Sequence, residues 1–337
     1  MRIFMNAIIP LMVIITSLLS ANVAAEEVKP NKWQPGFSGT IMGMFGGVQT
    51  QDQADSGDKK INSLDDKAEK KNKAFFLPIS TGILQYTLDS GEQQFYIGTD
   101  QSDLAIGRVH FELGYKQYVK QAGTFSLGIV PGLLKSDTWE DPYLVGENRD
   151  KTKAVVRGLR FKYENIMASQ FSIELAAGKQ VIKDEQSASG ANYTDQERAL
   201  LQREGNVYFA QLSHVNPITQ SFYLRSALSY KRLDADGAAM ASNSYGGDLS
   251  FIKVLHSSNL VLNIRYHHID FDESNPVFEN TQSDNKYGVI ATYVYKNLFG
   301  WKGVGVGAAV GYIVGDSNID FYDSSNALVS TGVSYSF

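Results

Sequence analysis

The chain has 337 residues, 43% hydrophobic and 12% aromatic, with a formal net charge of −5. It contains no cysteine, which rules out a disulfide scaffold and a lipid-bearing cysteine anchor. The acidic balance speaks against nucleic acid as a partner. No phosphate-loop, zinc or nucleotide motif is present, so no cofactor and no metal is expected.

Residues 1–25 read as a cleaved signal peptide. Arg2 supplies the positive start, Ile8 to Leu19 an apolar run, and Val23-Ala24-Ala25 the small residues of a cleavage site. The apolar run is too short for a membrane helix, which needs about 20 residues. Segment 26–35 is then a short periplasmic lead, and 36–337 the folded domain.

Period-2 alternation governs that domain. Strands are expected near 36–48, 74–88, 93–99, 104–119, 124–135, 154–165, 170–182, 206–215, 221–234, 245–255, 259–272, 286–296, 303–315 and 327–337. Fourteen strands is the favoured reading. Twelve is the alternative, should 93–103 be a bulged excursion. Tight turn chemistry such as Asp89-Ser90-Gly91 and Asn216-Pro217 alternates with long polar segments at 49–73, 136–153, 183–205, 235–244, 273–285 and 316–326. Short turns on one side and long loops on the other predict one all-β, antiparallel transmembrane β-barrel. Aromatics near strand ends, among them Tyr163, Tyr230, Tyr245, Tyr266 and Tyr287, fit two girdles at the membrane interfaces. Thr194 with Glu197 forms a capping-box pattern ahead of good helix formers, so a short helix is expected in 194–204.

Strand parity places Arg108, His110, Glu112, Lys116, Arg160, Lys162, Glu164, Glu174, Arg225, Lys231, Asp248, Arg265, His267 and Lys286 on the lumen side. Bases outnumber acids there, although the chain is acidic overall. Arg108, Glu112, Arg160, Glu174, Arg225 and Arg265 are the candidate pore-lining residues, because guanidinium stays charged and holds carboxylate or phosphate through two bonds. Cross-strand pairing of the same charges in a filled lumen is the competing reading. The inward faces of the fifth, thirteenth and fourteenth strands carry almost nothing but Gly, Ala and Ser, and Gly303 to Gly315 leave one wall without bulk, which favours an open or partly gated pore. An enzyme is not expected. Tyr266-His267-His268-Ile269-Asp270 is the one stretch with catalytic ingredients, and its adjacent histidines point to opposite sides.

The final residues alternate Val329, Thr331, Val333, Tyr335 and Phe337 with Ser330, Gly332, Ser334 and Ser336. This pattern resembles the closing strand of Gram-negative outer-membrane barrels, and Tyr335 and Phe337 are the expected signal to the barrel-assembly machinery. Over its whole length the chain looks like a porin-like outer-membrane protein. Its opening, Trp33-Gln34-Pro35-Gly36-Phe37-Ser38-Gly39, resembles an uncharacterised family described only as a domain of unknown function. The resemblance implies topology and the cell outer membrane, reached by export, with no substrate or functional residue attached. Expected partners are outer-membrane lipid and lipopolysaccharide, the assembly machinery and small polar solutes. Two functions compete: a channel for small polar solutes, anions included, and a non-conducting barrel whose outer loops bind a partner, a surface or lipopolysaccharide.

Overall fold

The computed structural model describes residues 32–55, 57–99, 103, 110–189 and 193–337, with backbone alone at 77–81. The expected signal peptide and Arg108 fall outside the described residues.

Alternating sequence becomes strand throughout. The strands are β1 Gly36–Asp52, β2 Lys71–Thr87, β3 Gln93–Gly98, β4 Glu112–Val119, β5 Gly123–Val130, β6 Lys135–Trp139, β7 Lys151–Glu164 and β8 Phe171–Ile182. They continue as β9 Gly205–Thr219, β10 Phe222–Ala235, β11 Ser242–Val254, β12 Ser258–Asn275, β13 Asn280–Lys296, β14 Val304–Ser317 and β15 Ser324–Ser336. The pairings between these strands are antiparallel, and β1 closes the sheet against β15, with Thr40 opposite Ser336 and Asp52 opposite Ser324. β5 and β6 both pair with β7 and make one interrupted wall strand. The result is a closed fourteen-strand barrel of outer-membrane type. Among the described residues no helix is long and apolar enough to cross a membrane; in this fold strands do the crossing.

Two expectations need correction. The strand read as 124–135 breaks after Val130 and resumes at Lys135. Pro131 offers no backbone donor and Gly132 sits at φ +72°, so the ladder cannot run through them. The loops read as 136–153 and 273–285 are partly strand, because β6 occupies the first and β12 and β13 approach each other across 276–279.

The faces follow parity. On β15, Val329 is 59% exposed whereas Ser330 is 3% exposed. Outward apolar surface costs nothing where lipid replaces water, which is why so many large apolar residues are exposed. Aromatic pairs mark both rims. At the short-turn end Phe37 meets Tyr86 with centroids 4.7 Å apart, and Phe125 stacks on Tyr163 at 4.3 Å. At the loop end Tyr230 meets Tyr245 at 5.3 Å and Tyr266 meets Tyr287 at 5.1 Å. Asn165 and Asn297 adopt left-handed backbone at φ 54° and 53° to start two of the short turns, a conformation asparagine tolerates well.

Candidate functional site

The outer connections form a folded cap. Ile61, Tyr143, Ala188, Leu201, Met240 and Phe321, from five different connections, share one buried apolar cluster. The helix α1, Asp195–Leu200, carries the expected capping box, with Thr194 accepting from Glu197 N and Glu197 reaching back to Thr194 N. Its end packs Leu200 and Leu201 into the cluster. Polar groups lock the cap. The Tyr143 hydroxyl lies 2.7 Å from that of Tyr322, and Asn275 Nδ2 donates to Tyr322 Oη at 2.8 Å.

Arg149 is the cap's central polar residue. It is fully buried and stacks over Trp139 at 4.4 Å. Its guanidinium donates to the carbonyls of Gln53 at 3.1 Å, Pro142 at 2.9 Å and Asp58 at 3.1 Å. Burial pulls that guanidinium down to about 10. Arg203 plays a parallel part, donating to Glu185 at 2.8 Å and to the Trp139 carbonyl at 2.6 Å.

Inside the barrel the predicted charges meet one another. Arg160 donates from Nη1 and Nη2 to the two carboxylate oxygens of Asp103 at 2.6 and 2.8 Å, and from Nε to Glu174 at 2.8 Å. Lys162 reaches Asp103 at 3.0 Å, and Glu112 takes a bond from Tyr96 and lies 3.1 Å from His110 Nε2. Asp103 comes from the β3–β4 connection and escaped the sequence reading, because a loop acid carries no periodic signal. Its contact with inward Arg160 places Asp103 at the inner face.

The remaining arginines are also engaged. Arg225 Nη2 donates to Gln211 at 3.0 Å. Arg265 donates twice to Asn263 Oδ1, at 3.2 and 2.9 Å, and lies 3.6 Å from Asp248. Lys231 and Lys286 differ. Both point inward and remain exposed, close enough for their charges to interact, and neither forms an ion pair among the described residues.

The smooth wall is not bare. Inward Met44 and Met42 of β1 stand opposite Gly332 and Ser334 and are buried. A Cβ at Gly332 would come 3.0 Å from Met44 Cγ, and one at Gly128 would come 2.5 Å from the Glu112 carboxyl carbon. Small residues here make room for large neighbours. Residues 32–35 keep to the short-turn end, where Trp33 N donates to Gly91 O at 2.8 Å.

Beneath the cap lies a polar chamber of about 320 Å³, lined by Asp52, Asp137, Gln282, Asp284 and Lys286 among others. A second cavity of about 470 Å³ lies beside the β5–β6 break. On the outer surface His268 places both ring nitrogens against acceptors, Asn285 Oδ1 at 3.0 Å and Asp270 Oδ1 at 2.9 Å. Ser283 meets Asp270 rather than the imidazole, so no nucleophile–base pair is assembled there. Among the described residues no group of His, Asp and Glu gathers as a metal would require.

Comparisons with known proteins add the following. No curated protein matches the chain. Among solved structures, the outer membrane channel DcaP of Acinetobacter baumannii is 9% identical, with a TM-score of 0.45, over 89% of this chain and 96% of that one. The CymD monoaromatic hydrocarbon channel is 10% identical, with a TM-score of 0.44, over 95% of each chain. A loop-deleted OmpT, an outer membrane protein of Vibrio cholerae, is 13% identical, with a TM-score of 0.40, over 88% of this chain and 99% of that one. Residues 36–336 match a family described as "Protein of unknown function (DUF2860)". The chain belongs to the DUF2860 family.

Proposed function

We propose that the protein is an outer-membrane channel for small polar solutes, anions included, with the chamber beneath the cap as the binding step. The observation that carries this reading is the contrast between the lumen's cations. Arg160, Arg225 and Arg265 line the inner wall and each donates to protein acceptors. Lys286 lines the chamber with Asp52, Gln282 and Asp284, Lys231 points into the same lumen, and neither forms an ion pair among the described residues. Two neighbouring free ammonium groups hold a passing anion or polar oxygen without a partner to displace.

Planar-bilayer recording in a salt gradient tests both parts. Steps of conductance are expected from the folded protein. Lys231→Ser with Lys286→Ser should move the reversal potential toward cations, while Arg225→Ser with Arg265→Ser should move it less. An unchanged reversal potential in the folded lysine double variant would sink the selectivity claim. The interlocked cap supports a second reading, a barrel that presents a folded outer surface to a partner or to lipopolysaccharide. Absence of conductance from well-folded protein would favour it.

A further inference from the structure

We propose that the break between β5 and β6 is the side access to a binding cavity for a small, neutral apolar molecule drawn from the outer leaflet. Cross-strand pairing stops at Val130 opposite Gly158 and resumes at Lys135 opposite Val155. Four residues, 131–134, therefore face only two, Val156 and Arg157. The surplus bulges outward. A Cβ on Gly132 would come 2.8 Å from Val155 Cγ2 and 3.3 Å from Arg157 Cβ, both on the outer face of β7, and Leu133 is 62% exposed.

The break sits at the upper edge of the lipid belt. Just toward the short-turn end, apolar Leu159 pairs with Ile129, and both are exposed. Just toward the loop end, Arg157 pairs with Lys179, charges that belong among headgroups. A molecule dissolved in the outer leaflet meets the bulge without first crossing the cap.

On the inner side the 470 Å³ cavity is walled by Leu134, Val156, Ala176, Val207 and Phe209, with Phe111 across from them. Apolar walls around a water-accessible space favour an apolar occupant, because covering them releases hydration water. The charges lining it, Arg160 and Glu174, are bonded to each other, and Arg160 is further held by Asp103. An anionic head would have to break these bonds, so the fitting ligand is neutral. Ser136, Ala154 and Gln180 line this cavity and the polar chamber alike, so the two spaces adjoin. The binding claim does not depend on ion conductance.

The full-length protein in lipid nanodiscs, probed with N-phenyl-1-naphthylamine, tests the proposal. Saturable fluorescence above that of empty nanodiscs is expected, displaced by naphthalene and not by 2-naphthalenesulfonate. Ala176→Phe should fill the cavity and weaken binding by about tenfold. Deleting Leu133 and Leu134, which leaves two residues opposite two, should mend the ladder and slow or abolish binding. Lys286→Ser should leave binding unchanged while altering conductance, which separates this cavity from the polar chamber. Heat-modifiable gel migration verifies that each variant folds. Fluorescence no higher than that of empty nanodiscs, equal displacement by the sulfonate, or wild-type affinity in either folded cavity variant would overturn the proposal.

Discussion

The barrel has two unlike arcs. From β9 to β15 the strands run 13 to 18 residues and pair along almost their whole length. From β3 to β6 they run only 5 to 8 residues. The long arc is held by backbone ladders with an apolar outside. The short arc has fewer rungs, and buried charge takes over: Asp103, Glu112, Arg160 and Glu174 all meet within it or on its border with β8. The apolar cavity opens beside the same arc. A wall with an unbroken ladder has little freedom to part, whereas a wall tied by side chains can carry a break and a binding space at modest cost.

The largest expected effect comes from untying the short arc. Arg160→Ala would leave buried Asp103 with Lys162 as its ion-pair partner and remove the guanidinium bonded to Glu174, and breaking a buried ion network of this kind costs about 3–5 kcal/mol. Urea unfolding of the reconstituted barrel should show it as a large drop in midpoint. Arg265→Ala, in the long arc, should cost less, since it removes the cation beside one buried carboxylate, Asp248 at 3.6 Å, rather than beside two. Equal losses in the two variants would erase the distinction between the arcs.

Closure of the long arc on β1 is tested at its last residue. Phe337 exchanges two backbone bonds with Gly39, each 3.0 Å, and lies 6.0 Å from the Tyr335 ring. Deleting it should lower the amount reaching the outer membrane several-fold, beyond what two bonds of about 1 kcal/mol each would explain. Quantitative blotting of membrane fractions checks this, and wild-type amounts would count against a recognition role.

Arg149→Ala addresses the cap above the short arc. It leaves several buried carbonyls without a donor, each worth about 1–3 kcal/mol. The expected result is rapid trypsin cleavage within residues 53–70, after Lys59, Lys60, Lys67 or Lys70, with barrel unfolding little changed. Concerted loss of both would show that cap and wall are one unit. Thr194→Ala is the smallest change, costing about 1 kcal/mol through the lost cap of α1. Hydrogen exchange at 195–201 should rise while the strands stay protected.

Much of the molecule was legible because strand signals are local. Val329, Val333 and Tyr335 announce a lipid-facing row by spacing alone, and the long arc appeared strand for strand. Thr194 and Glu197 sit three residues apart, so their capping box could be read directly. Even the break has a local mark in Pro131-Gly132, yet the expected strand 124–135 runs through it and residues 136–139 of β6 fall in the expected loop. The arginines could be placed on the inner face, but their use could not.

What the sequence by itself determined is the alternation, and with it the barrel, its two faces and its girdles. The alternation of faces depends on neighbours only two residues apart, and a closed sheet is the one way such strands satisfy every polar group in lipid. Tertiary structure alone decided which charges neutralise each other and which loops interlock. Arg160 meets Asp103 across 57 residues, and Tyr143 meets Tyr322 across 179. Those contacts exist only once the barrel has closed and set the distances across its lumen and mouth, and no period along the chain encodes them.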